Sequence, residues 1–187
     1  MVDLPNSVPV FRTTHAEEAY SCAIRAGRYY NVSPYLIQTV LQIEGGVKGS
    51  KVRNSNGTYD YGPMQINTIW INELKRMENI SVDKNRLIHD VCYNIHIGTW
   101  ILATRINEVN GDVWRGVGNY HSKTPQHHNR YLGNARKAYS QIISHWSRTL
   151  GVNQDTASIE RVVERSISRS SSSRNRTNNT IQYSIAP

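Results

Sequence analysis

Two carboxylates and a set of amides stand where chemistry could be done. Glu44 follows Ile37, Val40 and Leu41 at the i, i+3, i+4 and i+7 spacing of one helical face, so a charged group shares the apolar side of its helix. Lost hydration raises a carboxyl's pKa, and a general acid working near neutral pH needs such a rise. Sixteen positions on, Asp60 opens Asp60-Tyr61-Gly62-Pro63-Met64-Gln65-Ile66-Asn67. Glycoside hydrolysis commonly uses two carboxylates, one as acid and one as nucleophile or base. Asp60 is the only nearby candidate for the second role, although its place before Tyr61-Gly62 reads first as a turn or helix-capping residue. Gln65 and Asn67 offer amide groups suited to sugar hydroxyls and acetamido groups.

The elements that must hold these residues are mostly helical. Ser33 and Pro34 have the types of an N-cap and first helical position, and Gly45-Gly46 supplies a stop, so Pro34 to Glu44 reads as a helix. Before it, Thr14 and Glu17 form a capping-box pattern that opens a helix running to Tyr29-Tyr30, with Ala16, Ala19, Tyr20, Ala23 and Gly27 on one close-packing face. Lys48–Asp60, with Asn56-Gly57, has turn chemistry and room for a small hairpin. Gly62 allows close backbone approach, and Pro63 suits the first turn of a helix carrying Ile69, Trp70 and Leu74. Residues 78–87 read as a linker. A long helix is expected from His89 to Val109, and His89 and His96, seven apart on it, suit solvated or capped roles better than a metal site. Gly111 ends it, Asp112 caps the next helix, Lys123–Asn129 reads as a polar loop, and a last helix spans Asn129 to Leu150, with Tyr131 on its apolar stripe.

Composition bounds the rest. The 187 residues suit one domain plus a tail, and no run reaches the roughly 20 apolar residues of a membrane span, so no transmembrane segment is expected. Eleven Tyr against one Phe give most aromatic surface a hydroxyl. The net charge of +8 fits an anionic partner such as cell wall, acidic membrane or nucleic acid. The Lys and Arg are scattered, with no basic helix interleaved with aromatics, so no nucleic-acid partner is expected. Cys22 and Cys92 would pair in an exported protein and stay free in a cytosolic one; their surroundings lack zinc-ligand spacing, so no metal is expected. Met1–Thr14 has neither a charged n-region nor an apolar h-region, and no signal peptide is read there. Residues 166–180, rich in Ser, Arg and Asn, cannot build a core.

In order, Glu44 closing a helix, the polar loop, Gly62-Pro63-Met64-Gln65-Ile66-Asn67, then Asp90-Val91-Cys92-Tyr93-Asn94-Ile95, Gly98-Thr99-Trp100-Ile101-Leu102 and Val117-Gly118-Asn119-Tyr120-His121-Ser122 resemble the lytic transglycosylases. These are enzymes of peptidoglycan with a lysozyme-like fold, and the likeness is nearest to the small members that accompany type IV secretion, conjugal transfer and pilus systems. It covers about residues 16–140.

The resemblance implies a mainly α, lysozyme-like domain of the goose-type lysozyme and soluble lytic transglycosylase kind over residues 15–150, with a small β-hairpin, between an N-terminal extension (1–14) and a disordered tail (151–187). It implies that Glu44 is the catalytic acid and that Tyr61, Met64, Gln65, Asn67 and Tyr120 contact the glycan, Tyr120 reaching the acid. It also implies a Cys22–Cys92 disulfide, which would stabilise by roughly 4 kcal/mol in the chain-entropy model. The implied reaction cuts the MurNAc–GlcNAc bond without water, leaving a 1,6-anhydromuramoyl end, with no metal or organic cofactor. The implied setting is periplasmic or wall-associated, its leader removed or left out of this sequence. A monomer is expected, with the tail a possible contact for secretion or conjugation proteins. Three residues depart from the family: Gly45 stands where Ser is usual, Pro63 where Leu is usual, and His121 where Asn is usual. The alternatives are a hydrolytic lysozyme using Asp60, a non-catalytic wall-binding assembly factor, and a basic nucleic-acid binder.

Overall fold

The computed structural model describes residues 16–78 and 81–151. The Thr14–Glu17 capping box, the N-terminal extension and the Ser/Arg/Asn-rich tail lie outside the described residues and side chains. Of the described residues, those up to Ile142 belong to one compact unit and those from Ile143 on to a second.

In the first unit, α1 (Ala16–Tyr30) packs against α2 (Pro34–Glu44) and α5 (Val91–Asn107). Ala19 and Ala23 are buried, as the small-residue face requires, and Gly27 lets the chain turn tightly, its carbonyl accepting from Val32 N at 2.9 Å. α2 has Pro34 at its first turn and ends at Gly45 in the left-handed region (φ 63°), whose N–H donates to Leu41 O. Ser33 sits at the cap position, but its side chain makes no capping hydrogen bond; its carbonyl takes the first helical ones, from Leu36 and Ile37. The predicted stripe is in place: Ile37 and Val40 are fully buried and Leu41 nearly so.

A three-stranded antiparallel sheet follows: β1 (Lys51–Arg53), β2 (Tyr59–Tyr61) and β3 (Ile66–Asn67), in that order. Gly57, at φ 83°, makes the hairpin turn. Two expectations are corrected here. Gly62–Gln65 does not open a helix; it is a turn between β2 and β3, and α3 (Ile69–Glu78) starts only after it, with Asn67 Oδ1 accepting from Ile69 N at 3.0 Å. Pro63 therefore lies in a turn, and Asp60 is a strand residue paired with Asn67, neither turn nor cap. Backbone pairing across the sheet supplies partners that helix-type residue chemistry does not reveal.

The expected linker also contains a helix, α4 (Lys84–His89), capped by Asp83. Asp90 divides it from α5: its N–H donates to Arg86 O while its side chain accepts from Tyr93 N. His89 and His96 are therefore on different helices, and His96 Nε2 lies 2.8 Å from Tyr30 Oη. α6 (Val113–His121) is capped by Asp112 as its sequence indicates. α7 begins at Pro125 and runs to Leu150, so most of the expected 123–129 loop is helical; Pro125 is accepted at a first turn, where its missing N–H is no loss.

Asn94 knots these parts together. Fully buried, it donates to Tyr61 O (2.8 Å) and Leu87 O (2.9 Å) and accepts from Met64 N (2.8 Å). One side chain thus fixes the end of β2, the 62–65 turn and α4 against α5. Cys22 and Cys92 form a disulfide between α1 and α5, and the Arg25 guanidinium lies within 3.3 Å of both sulfurs. Among the described residues no helix is long and apolar enough to cross a membrane. Of the second unit, residues 143–151 are described: the last turns of α7, with the rings of His145 and Trp146 edge to face at 5.6 Å, and Gly151 at φ 62°.

Candidate active site

The end of α2, the sheet, α3, α5 and α6 enclose a cleft of about 640 Å³. Glu44 and Asp60 lie at one part of it with Gln65 and Asn67; Ile69, Trp70, Glu73, Arg76 and Met77 give it a wall from α3; Asn119 to Lys123 give it the wall opposite in sequence, from the end of α6. Gly46 makes the close approach of α2 to the 62–65 turn possible, since a Cβ there would collide with the Gly62 carbonyl.

Glu44 is half-buried, and its Oε1 accepts a 2.7 Å hydrogen bond from the Tyr131 hydroxyl on α7. Loss of hydration pushes its pKa up to about 7; the Tyr131 hydrogen bond works against the rise, and the Asp60 charge adds to it. A carboxyl at this value is protonated and deprotonated in comparable amounts near neutral pH, so it can both give and take a proton. Burial keeps the Tyr131 and Tyr120 phenols well above their usual range, and both stay hydrogen-bond donors.

Asp60 is held by its strand neighbours. Its Oδ2 accepts from Asn54 Nδ2 at 2.9 Å and its Oδ1 from Asn67 Nδ2 at 2.7 Å. The antiparallel register that sets Asp60 opposite Asn67 positions both toward one network.

The expected ligand residues separate into two groups. Gln65, Asn67 and Tyr120 line the cleft. Gln65 sits at φ 47° with its amide nitrogen donating to Gly62 O and Ser50 Oγ, and Asn67 Nδ2 also reaches Thr58 Oγ1. Tyr61 and Met64, 5% and 0% exposed, are not among the cleft-lining residues. Met64 instead fills the notch left by Gly98, where any side chain would strike its sulfur. Tyr61 contributes its carbonyl to Asn94 and stacks parallel to Tyr59.

Tyr120 does not bond the carboxyl: its hydroxyl donates to Met64 O at 2.9 Å. Tyr131 takes that role, eighty-seven positions from Glu44. Its place on an apolar stripe hid it; a phenol on such a stripe is the one signal in the sequence that a buried polar partner is required. Sequence reasoning also passed over Arg105, which stands 4.5 Å over the Trp70 ring and pairs with Glu108 at 2.7 Å, while Lys123 reaches the same carboxylate at 2.9 Å. Among the described residues no group of three or more His, Cys, Asp or Glu is disposed to hold a metal ion.

A helical body with a small sheet leading into a cleft that holds a desolvated carboxyl is the lysozyme-like arrangement. The chain belongs to the family described as the transglycosylase SLT domain, whose model matches residues 21–143. Over 104 residues it is 29% identical to the invasion protein IagB of Salmonella typhimurium, a match covering 55% of this chain and 62% of that one. It is 30% identical over 122 residues to a peptidoglycan-binding-like protein of Escherichia coli O157:H7 (62% and 71% covered) and 32% identical over 104 residues to protein IpgF of Shigella flexneri (55% and 66% covered). The chain thus spans a little under two thirds of the length of the Salmonella relative.

Proposed function

We propose that this protein is a peptidoglycan lytic transglycosylase and that Glu44 is its acid and base. The observation that carries the reading is the half-buried Glu44 carboxyl in the cleft, raised to about 7 and hydrogen-bonded by Tyr131. The protonated carboxyl gives its proton to the oxygen between MurNAc and GlcNAc as the C1–O bond breaks. The 6-hydroxyl of the same MurNAc then attacks C1, and its proton goes to the Glu44 carboxylate. Water is not consumed, the carboxyl is regenerated, and the product carries a 1,6-anhydro ring. Gln65, Asn67 and Tyr120 are the proposed sugar contacts from the cleft wall. Action at the periplasmic face or in the wall follows from this substrate. The proposed setting is local opening of the wall for a secretion, conjugation or pilus apparatus; one relative is named an invasion protein.

One observation favours a second reading. Asp60 shares the cleft with Glu44, and two amides hold both its oxygens. An ordered second carboxylate suits a hydrolytic muramidase, in which Asp60 stabilises or activates the attacking group and water gives a reducing end. Digestion of purified peptidoglycan by the native protein, Glu44→Gln and Asp60→Asn, with products weighed by mass spectrometry, separates the two. Anhydromuropeptides that vanish in Glu44→Gln are expected. Reducing-end products that vanish in Asp60→Asn favour the muramidase, and wall binding without any cleavage removes both.

A further inference from the structure

Tyr131 is held at two points. Its hydroxyl is on Glu44, and its ring lies parallel to the His121 imidazole, with centroids 4.7 Å and planes 3° apart. His121 ends α6 and lines the cleft, whereas Tyr131 is 7% exposed on α7 and is not among the lining residues. The imidazole is therefore the flat layer between the cleft and the phenol. We propose that His121 is a positioning residue: by stacking on Tyr131 it keeps the phenol hydroxyl on the Glu44 carboxyl.

A short hydrogen bond from a phenol requires the whole ring to be placed, and a parallel aromatic neighbour favours one ring orientation over the others. His121 keeps an exposed side at the cleft and is desolvated where it stacks, so its removal uncovers the Tyr131 ring without emptying a core position. The charged and titratable groups around it are Arg130 and His127 from α7 and Asp60 from β2. Burial, Arg130 and His127 lower its proton affinity while Asp60 raises it; the imidazole is held below its ordinary value and stacks in its neutral form near pH 7. Glu44 is faced by Tyr131, Tyr120 and Asp60; the His121 variants below leave all three in place, and Tyr131 alone is changed in the Tyr131→Phe background.

The kinetic part of the test rests on Glu44 as the proton donor; the titration does not. The midpoint of the Glu44 carboxyl is measured by carbon-13 NMR titration in the full chain, in His121→Ala, His121→Phe, Tyr131→Phe and the His121→Ala/Tyr131→Phe pair. The hydroxyl favours the charged carboxyl, so weakening it moves the midpoint upward. His121→Ala is expected to raise it by about half a pH unit, and His121→Phe, which keeps a flat face, is expected to restore it. In the Tyr131→Phe background His121→Ala is expected to add nothing. On peptidoglycan fragments His121→Ala lowers kcat about tenfold with KM within about twofold.

An unchanged or lowered midpoint in His121→Ala, failure of Phe to restore it, or a full effect in the Tyr131→Phe background overturns the proposal. If His121→Ala melts at much lower temperature, His121→Leu fills its volume without a flat face and is judged by the same criteria. A native chain that cuts no glycan ends the catalytic reading, while the titration still decides the role of His121.

Discussion

Tyr131 donates a 2.7 Å hydrogen bond to Glu44 from a helix at the far end of the domain sequence. The bond opposes the dominant effect of burial on the carboxyl. Tyr131→Phe removes it and is expected to raise the Glu44 midpoint above its native value of about 7, by up to about one unit. The alkaline limb of the pH–rate profile then moves to higher pH, because the acid keeps its proton longer. The rate on the plateau falls by about tenfold or more as the carboxyl loses its fixed orientation. A pH–rate profile of the variant on peptidoglycan checks both, and a limb shifted to lower pH contradicts the first.

Glu44 also makes folding stability depend on pH. Its folded value of about 7 lies above the ordinary 4.5 expected when unfolded, so the folded chain binds more protons between the two. Stability contributed here is therefore greatest at low pH and declines as pH rises through this window. The decline amounts to at most about 3 kcal/mol. Glu44→Gln removes the titration, so in urea it unfolds later than the native protein at pH 8 and nearly together with it at pH 5. Equal midpoints at pH 8 contradict a desolvated carboxyl.

Asn94 is the main polar support of the site. Asn94→Ala leaves Met64 N, Tyr61 O and Leu87 O without this partner in the interior. A loss of roughly 3 kcal/mol is expected from the unsatisfied groups. Asn94→Asp places a carboxylate against two carbonyls and does at least as badly. Urea denaturation of both variants measures it.

The disulfide stands apart from the chemistry, since neither Cys22 nor Cys92 lines the cleft. Reduction is expected to lower stability by about 2–4 kcal/mol. Activity per folded molecule is expected to persist at temperatures below the reduced protein's melt. Parallel melts and digestions with and without reductant test this.

Glu44 was legible because helix periodicity, Pro34 and Gly45 all act within eleven or so residues of it. The α6 cap at Asp112 was legible for the same reason. The turn at 62–65 was not: Pro63 fits a helix start as well as a turn, and only pairing of Tyr61 with Ile66 decides between them. Helix α4 was too short for its period to stand out. Asp60 could not be placed because its partners, Asn54 and Asn67, meet it through strand register. Tyr131 was visible as an apolar position but not as the partner of a carboxyl that lies eighty-seven residues away.

That distance has a consequence for the order in which the protein matures. While the chain is being made, Glu44 emerges long before the helix that carries Tyr131. Until α7 has docked, the carboxyl lacks the phenol that orients it. A nascent or prematurely ended chain thus holds every cleft residue before position 124 and still lacks a completed acid. On the proposed function, cutting power arrives with the last helix, and the unfinished molecule is a weak hazard to the wall that the finished one would open.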